Sequence, residues 1–184
     1  MLPELPESMA AHIDRVVDLA DALATRHHLD VAQTRLAAQG HDLLRAVPTA
    51  ELLARAEQRE LDIDPVEHDV PVILHGLLGA IELEERFGLD DRTVLEAIRW
   101  HTTGHPDYTP EAWAMFIADK VEPSKVARTP ELQPVLDLAN ESLEAAALAY
   151  LDFGIAEATE KGQQIHPTAN LTRNALLRRG FGAQ

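Results

Sequence analysis

His41 and Asp42 stand side by side in the stretch Leu36-Ala-Ala-Gln-Gly-His-Asp-Leu-Leu-Arg45. An imidazole and a carboxylate here follow a run of small and apolar residues. His12, His75 and His101 recur at wide intervals, and Asp119 follows the apolar run Met115-Phe-Ile-Ala118. Ionisable groups in such surroundings need partners, and a divalent cation satisfies several at once. The chain has no cysteine, so disulfides and thiolate sites are excluded. A site built from imidazole and carboxylate suits iron, manganese, zinc or cobalt rather than calcium. Such a cation lowers the pKa of bound water and polarises a phosphoryl oxygen.

A frame must bring these residues together, and composition says which kind. The chain has 184 residues, of which 46% are hydrophobic and 4% aromatic. It is rich in Ala and Leu, which lose little on entering a helix, whereas strands select β-branched and aromatic side chains. The length allows one domain with a substantial core. The expected fold is all-α, a single-domain helical bundle over residues 1–184, with its core at about 8–179 and short frayed ends. The formal charge of −15 argues against a nucleic-acid partner, which requires clustered Lys and Arg. A small phosphorylated substrate stays open, because a bound cation reverses the local field. The N-terminus lacks the positive and apolar regions of a signal peptide, and no apolar run approaches the ~20 residues of a membrane span. A soluble, cytoplasmic protein is the expectation.

Apolar spacing predicts a first helix from Ser8, as N-cap, to His28, carrying His12 in its first turns. Asp30 caps a second helix through Ala38, and Thr49 a third. Residues 60–71, with two prolines and several acids, read as a loop. A fourth helix starts near Pro71 and ends at Gly88; its Gly76 and Gly79 allow a close approach by a neighbour. Asp90 or Asp91 caps a fifth, Arg92 to His101. Thr109-Pro110 opens a sixth that breaks at Pro123. A long helical stretch follows from Glu131 to about Lys161, with Gly162 as its stop, and a last helix runs from Ala169 to Arg179.

The ordered set His12, His41-Asp42, His75, His101, Asp119 resembles the HD superfamily of metal-dependent phosphohydrolases. The words Leu74-His-Gly-Leu-Leu-Gly-Ala80, Ala97-Ile-Arg-Trp-His-Thr-Thr-Gly-His-Pro106, Ile117-Ala-Asp-Lys-Val-Glu-Pro123 and Ile165-His-Pro-Thr168 narrow the likeness to the YqeK-type symmetrical bis(5′-nucleosyl)-tetraphosphatases. A lone His-Asp pair carries no weight; the ordered set with these words is fairly specific and runs from about His12 to Asn174. The resemblance implies an HD-type helical bundle with two divalent metal ions, iron foremost and manganese, cobalt or zinc as alternatives. By analogy His12, His41, Asp42 and Asp119 hold one ion, and His75 and His101 the second, with Asp42 bridging and central to catalysis. Metal-activated water would then split diadenosine tetraphosphate symmetrically into two ADP.

The same likeness names substrate contacts: Arg45, one helical turn after His41; Thr102, Thr103 and Gly104; His105, where relatives more often have Arg; Lys125; and Arg173 beside Asn174. Each has a structural alternative as cap, surface pair or exposed loop residue. Glu122 is expected to orient the site through a salt bridge, and His166 to be structural. His27, His28 and His68 fit no site. Three departures stand out. Ala-Ala-Gln-Gly precedes the dipeptide where relatives more often have an apolar Gly-Leu-Leu, Ile13 follows His12 where they often have Ser, and Lys120 replaces a usual aromatic. They bear on substrate choice more than on metal binding. Two other readings compete: an HD phosphohydrolase acting on a nucleotide monophosphate or a signalling nucleotide, and a non-catalytic HD-fold nucleotide sensor. Six intact ligand positions argue against the sensor. The Ala-rich C-terminal helix offers an interface for a homodimer.

Overall fold

The computed structural model describes residues 6–182, and among them it contains helices and turns but no strand. In chain order the helices are α1 (Glu7–Arg26), α2 (Val31–Gly40), α3 (Thr49–Gln58), α4 (Pro65–Asp69), α5 (Leu74–Phe87), α6 (Arg92–Arg99), α7 (Pro110–Val121), α8 (Pro123–Arg128), α9 (Gln133–Ala139), α10 (Leu143–Glu160) and α11 (Pro167–Arg178). Short 3-10 turns at Pro71–Ile73 and Pro130–Leu132 lead into α5 and α9. No described helix is long and apolar enough to cross a membrane.

Side-chain caps define several starts. Asp30 accepts from Gln33 N, Asp91 from Val94 N and Thr109 from Ala112 N, each satisfying a backbone donor that the first turn leaves free. Ser8 does not cap α1; the helix begins one residue earlier, after Pro6. Thr49 likewise lies inside α3, behind Pro48. The stretch read as a loop at 60–71 holds α4, because Asp64 and Glu67 form a reciprocal capping box with the backbone. The long C-terminal stretch is not continuous either. It breaks at Asn140–Ser142, where Ser142 caps α10. Pro123 ends α7 and at once opens α8, with Glu122 as the cap.

Helix α7 is the axis of the bundle. Residues Ala112 through Val121 are all buried, the signature of a helix apolar on every side and enclosed by others. α1, α2, α6, α9 and α10 pack around it. Its Asp119 and Lys120 are therefore polar groups in the centre of the protein. A smaller apolar cluster of Leu44, Val47, Leu52, Ala56, Leu74 and Leu78 fastens α3 to α5. Two glycines let helices close. A Cβ at Gly40 would lie 2.8 Å from Ile98 Cδ1, and one at Gly76 would lie 2.8 Å from the Arg99 carbonyl oxygen and 2.9 Å from that of Ile98. Gly79 plays no such part, since a Cβ there would meet nothing within 4 Å.

Candidate metal centre

Three helices and two turns supply the six polar side chains that converge beside α7. His12 comes from α1, His41 and Asp42 from the turn that ends α2, and His75 from the first turn of α5. His101 follows α6, and Asp119 comes from α7. The close passage of Gly76 against the end of α6 brings His75 and His101 together; a Cβ on Gly76 would also press on His101 Nδ1 at 3.1 Å.

The backbone sets the direction of three imidazoles. His41 Nδ1 donates to Ala38 O and His101 Nδ1 to Ile98 O, both at 2.7 Å, and His75 Nδ1 donates to Val72 O. A carbonyl only accepts, so each Nδ1 carries a hydrogen, and the tautomer this selects presents a bare Nε2 to the centre. His75 Nε2 and His101 Nε2 lie 2.9 Å apart. His41 Nε2 is buried and has no hydrogen-bond partner. Bare nitrogens and carboxylates converging in a dry space repel one another unless a positive charge lies between them. A histidine that binds a metal through one nitrogen and donates to a backbone carbonyl through the other is the usual arrangement at metal sites. The residues fit a divalent cation.

Two groups of potential ligand atoms share one residue. His12, His41 and Asp42 form the first and Asp42, His75 and His101 the second, each with its ligand atoms within 4.8 Å of one another. Asp42 divides its oxygens between them. Oδ2 lies 3.8 Å from His12 Nε2 and 3.6 Å from His41 Nε2; Oδ1 lies 3.0 Å from His75 Nε2 and 3.6 Å from His101 Nε2. Asp119 Oδ1 joins the first group, 3.3 Å from His12 Nε2 and 3.7 Å from His41 Nε2.

The electrostatics follow from burial and from charge. Burial alone would push the Asp42 carboxyl up; an N–H or positive charge presented by His101, His75 and His41 pulls it well below the usual carboxylate range, the part that a cation takes where the rings are bare. Asp119 is likewise held low against burial by the Lys120 and Lys125 ammoniums and by His12 and His41. Burial pushes His101 down to about 4, so its ring stays neutral and its Nε2 bare at neutral pH.

A cleft of about 600 Å³ opens over this centre, lined by His12 and Asp42 and by the basic residues Arg15, Arg45, Lys125 and Arg128. Among the expected substrate contacts, the structure places Arg45 and Lys125 here. Lys125 also donates to the Asp119 carbonyl at 2.6 Å and to its Oδ1 at 2.8 Å. The others lie elsewhere. Thr103 is buried and donates to Gly104 O at 3.0 Å within its own loop, while Gly104 takes a left-handed φ of 68° against Thr172 and Trp113. His105 stacks on Trp100 with ring centroids 5.2 Å apart. Arg173 pairs with Asp152 on the surface. Thr102 lines a separate cavity of about 210 Å³ with Tyr150, Gly154 and His166. His166 caps α11 by accepting from Thr168 N and faces Glu67 at 3.7 Å.

Glu122 is fully buried. It lies 3.5 Å from His12 Nδ1 and accepts from Arg15 Nε at 2.7 Å, so a chain Arg15–Glu122–His12 steadies the one imidazole of the set without a carbonyl behind it. Arg15 was not among the expected site residues. It follows His12 by three positions on α1, a spacing that puts both on one face, but it reads equally well as part of the helix's polar side.

Residues 9–124 match the family model described as the HD domain. The chain is 32% identical to a symmetrical bis(5′-nucleosyl)-tetraphosphatase of Halalkalibacterium halodurans over 95% of this chain and 92% of that one. It is 28% identical to the Bacillus subtilis protein of the same name, again over 95% and 92%. Among solved structures it resembles an HD superfamily hydrolase of Clostridium acetobutylicum, described as involved in NAD metabolism, with a TM-score of 0.88 at 29% identity over 95% of this chain and 92% of that one.

Proposed function

This chain belongs to the HD-domain family, and on that premise we propose that it is a divalent-metal-dependent hydrolase that converts diadenosine tetraphosphate and water into two ADP. One observation carries the reading: Asp42 is shared by two groups of ligand atoms at the floor of a cleft lined by Arg15, Arg45, Lys125 and Arg128. His12, His41, Asp42 and Asp119 would hold one ion, and Asp42, His75 and His101 a second; iron is the favoured metal, with manganese, cobalt and zinc meeting the same donors. Such ions supply acidified water and charge neutralisation for phosphoryl transfer. Residues 1–184 act as one unit in this reading.

The chain's own groups do the rest. Ala38, Val72 and Ile98 carbonyls fix the tautomer and direction of three imidazoles. Glu122 and Arg15 steady His12. The four basic side chains draw a polyphosphate into a protein whose net charge of −15 would otherwise repel it. Water adds at a central phosphorus, the bond to the bridging oxygen breaks, and each half leaves as a nucleoside diphosphate.

A panel of nucleotides incubated with the metal-loaded protein, with products resolved by chromatography, tests this. Two ADP from diadenosine tetraphosphate is the expected result. ATP with AMP means asymmetric cleavage and rejects it; turnover of mononucleotides alone points to another phosphohydrolase, and no turnover at all to a nucleotide sensor.

A further inference from the structure

Lys120 stands outside the ligand set, yet its charge is aimed at it. Adjacent side chains on a helix diverge, so register alone does not join Lys120 to Asp119. Its Nζ turns back to donate to Asp119 Oδ2 at 2.7 Å. The rings of Phe116 and Tyr150 flank it, with centroids 5.2 and 5.9 Å from Nζ. Lys120 is buried, so little water screens it. Lys125 bonds Oδ1 of the same carboxylate, but its side chain reaches solvent and lines the cleft.

The charges then sum in an unusual way. Asp42 and Asp119 are the two anions of the ligand set, and Lys120 and Lys125 place two ammoniums against one of them. A carboxylate oxygen already engaged by an ammonium is a poorer donor to a metal, and a dication entering beside an unscreened ammonium meets a like charge.

We propose that Lys120 is a positioning residue that occupies Asp119 Oδ2, holds Oδ1 turned towards His12 and His41, and lowers the affinity of the His12–His41–Asp42–Asp119 group for a divalent cation. The inference rests on the metal-binding reading above. Its consequence is a centre that keeps more net positive charge for each cation it holds, which favours a polyanionic substrate over a neutral one.

The test is a titration of the metal-stripped protein with Mn²⁺ alone, with free ion followed by electron paramagnetic resonance. Lys120→Met removes the charge and keeps an unbranched stem between the two rings. It is expected to bind Mn²⁺ about 10-fold or more tightly than the unmodified protein, while Lys120→Arg keeps the original affinity. A folded Lys120→Met protein, judged by its thermal melt, with unchanged or weaker affinity overturns the proposal. Lys120→Gln is the second neutral variant and is read the same way if the first does not fold. No substrate enters the measurement, so tightened Mn²⁺ binding in a protein that fails to cleave diadenosine tetraphosphate sinks the substrate reading alone. Symmetrical cleavage with unchanged Mn²⁺ binding sinks this one alone.

Discussion

His75 Nε2 and His101 Nε2 face each other at 2.9 Å, and each ring has its Nδ1 hydrogen committed to the carbonyl three residues earlier. Two lone pairs thus converge beside Asp42 Oδ1. The backbone, not the neighbouring side chains, holds them in that posture, and this makes the centre a receptor for positive charge.

Asp42 serves both groups of ligand atoms, so its loss should be felt by both. Asp42→Ala is expected to bring hydrolysis to background and metal content towards zero, measured by turnover and by elemental analysis of the purified protein. Full activity in this variant would refute the metal reading.

His68 supplies the contrast. It is exposed beside Asp69 on the surface and belongs to neither group of ligand atoms. His68→Ala is expected to leave turnover within about 2-fold and the melting curve unchanged, as for surface substitutions in general. A large loss of activity would mean that the ligand set is wrongly drawn.

The two glycines of α5 should respond in opposite directions. At Gly76 a methyl group would be forced against the backbone oxygens of Ile98 and Arg99, so Gly76→Ala should cost about 2 kcal/mol of stability and weaken metal binding by moving His75 away from His101. At Gly79 there is open space, so Gly79→Ala should gain up to about 1 kcal/mol from helix propensity. Thermal melts of the pair decide this; a neutral Gly76→Ala would show that α5 and α6 can separate freely.

Acid should destabilise the metal-stripped protein. His101 falls from an ordinary 6.5 to about 4 on folding, so between those values the unfolded chain binds the proton and the folded chain does not. Stability is therefore intact above pH 6.5 and declines as pH drops towards 4, by about 3 kcal/mol from this group. Asp42 and Asp119 are held below the usual carboxylate range, so their contribution persists above that range and is lost as pH falls further through their lowered values. All three act in the same direction. Denaturant melts from pH 7 to 4 with chelator present should show a steady loss; a flat profile would contradict the buried, neutral state of His101.

Much of the frame could be read along the chain because its signals are local. Asp30, Asp91 and Thr109 cap helices by reaching donors within three residues, and Gly88 ends α5 in the left-handed conformation. Where local signals compete, residue types alone mislead. The prolines at 65 and 71 look like breakers, but the Asp64–Glu67 capping box makes the first of them a helix start. The apolar period from Glu131 onward hides the break at Asn140–Ser142, because periodicity continues across a short turn.

By itself, the amino-acid sequence determined the helical class, most helix starts and the six candidate donors in their order, since these depend on residue types and on neighbours a few positions apart. Only the tertiary structure decided how those donors are used. The division of Asp42 between two groups, the clamp of Arg15 and Glu122 on His12 and the return of Lys120 onto Asp119 all depend on packing around a buried α7. Most of them join residues distant in the chain. Even the adjacent pair Lys120 and Asp119 meet in a space that Phe116 and Tyr150, from two different helices, enclose.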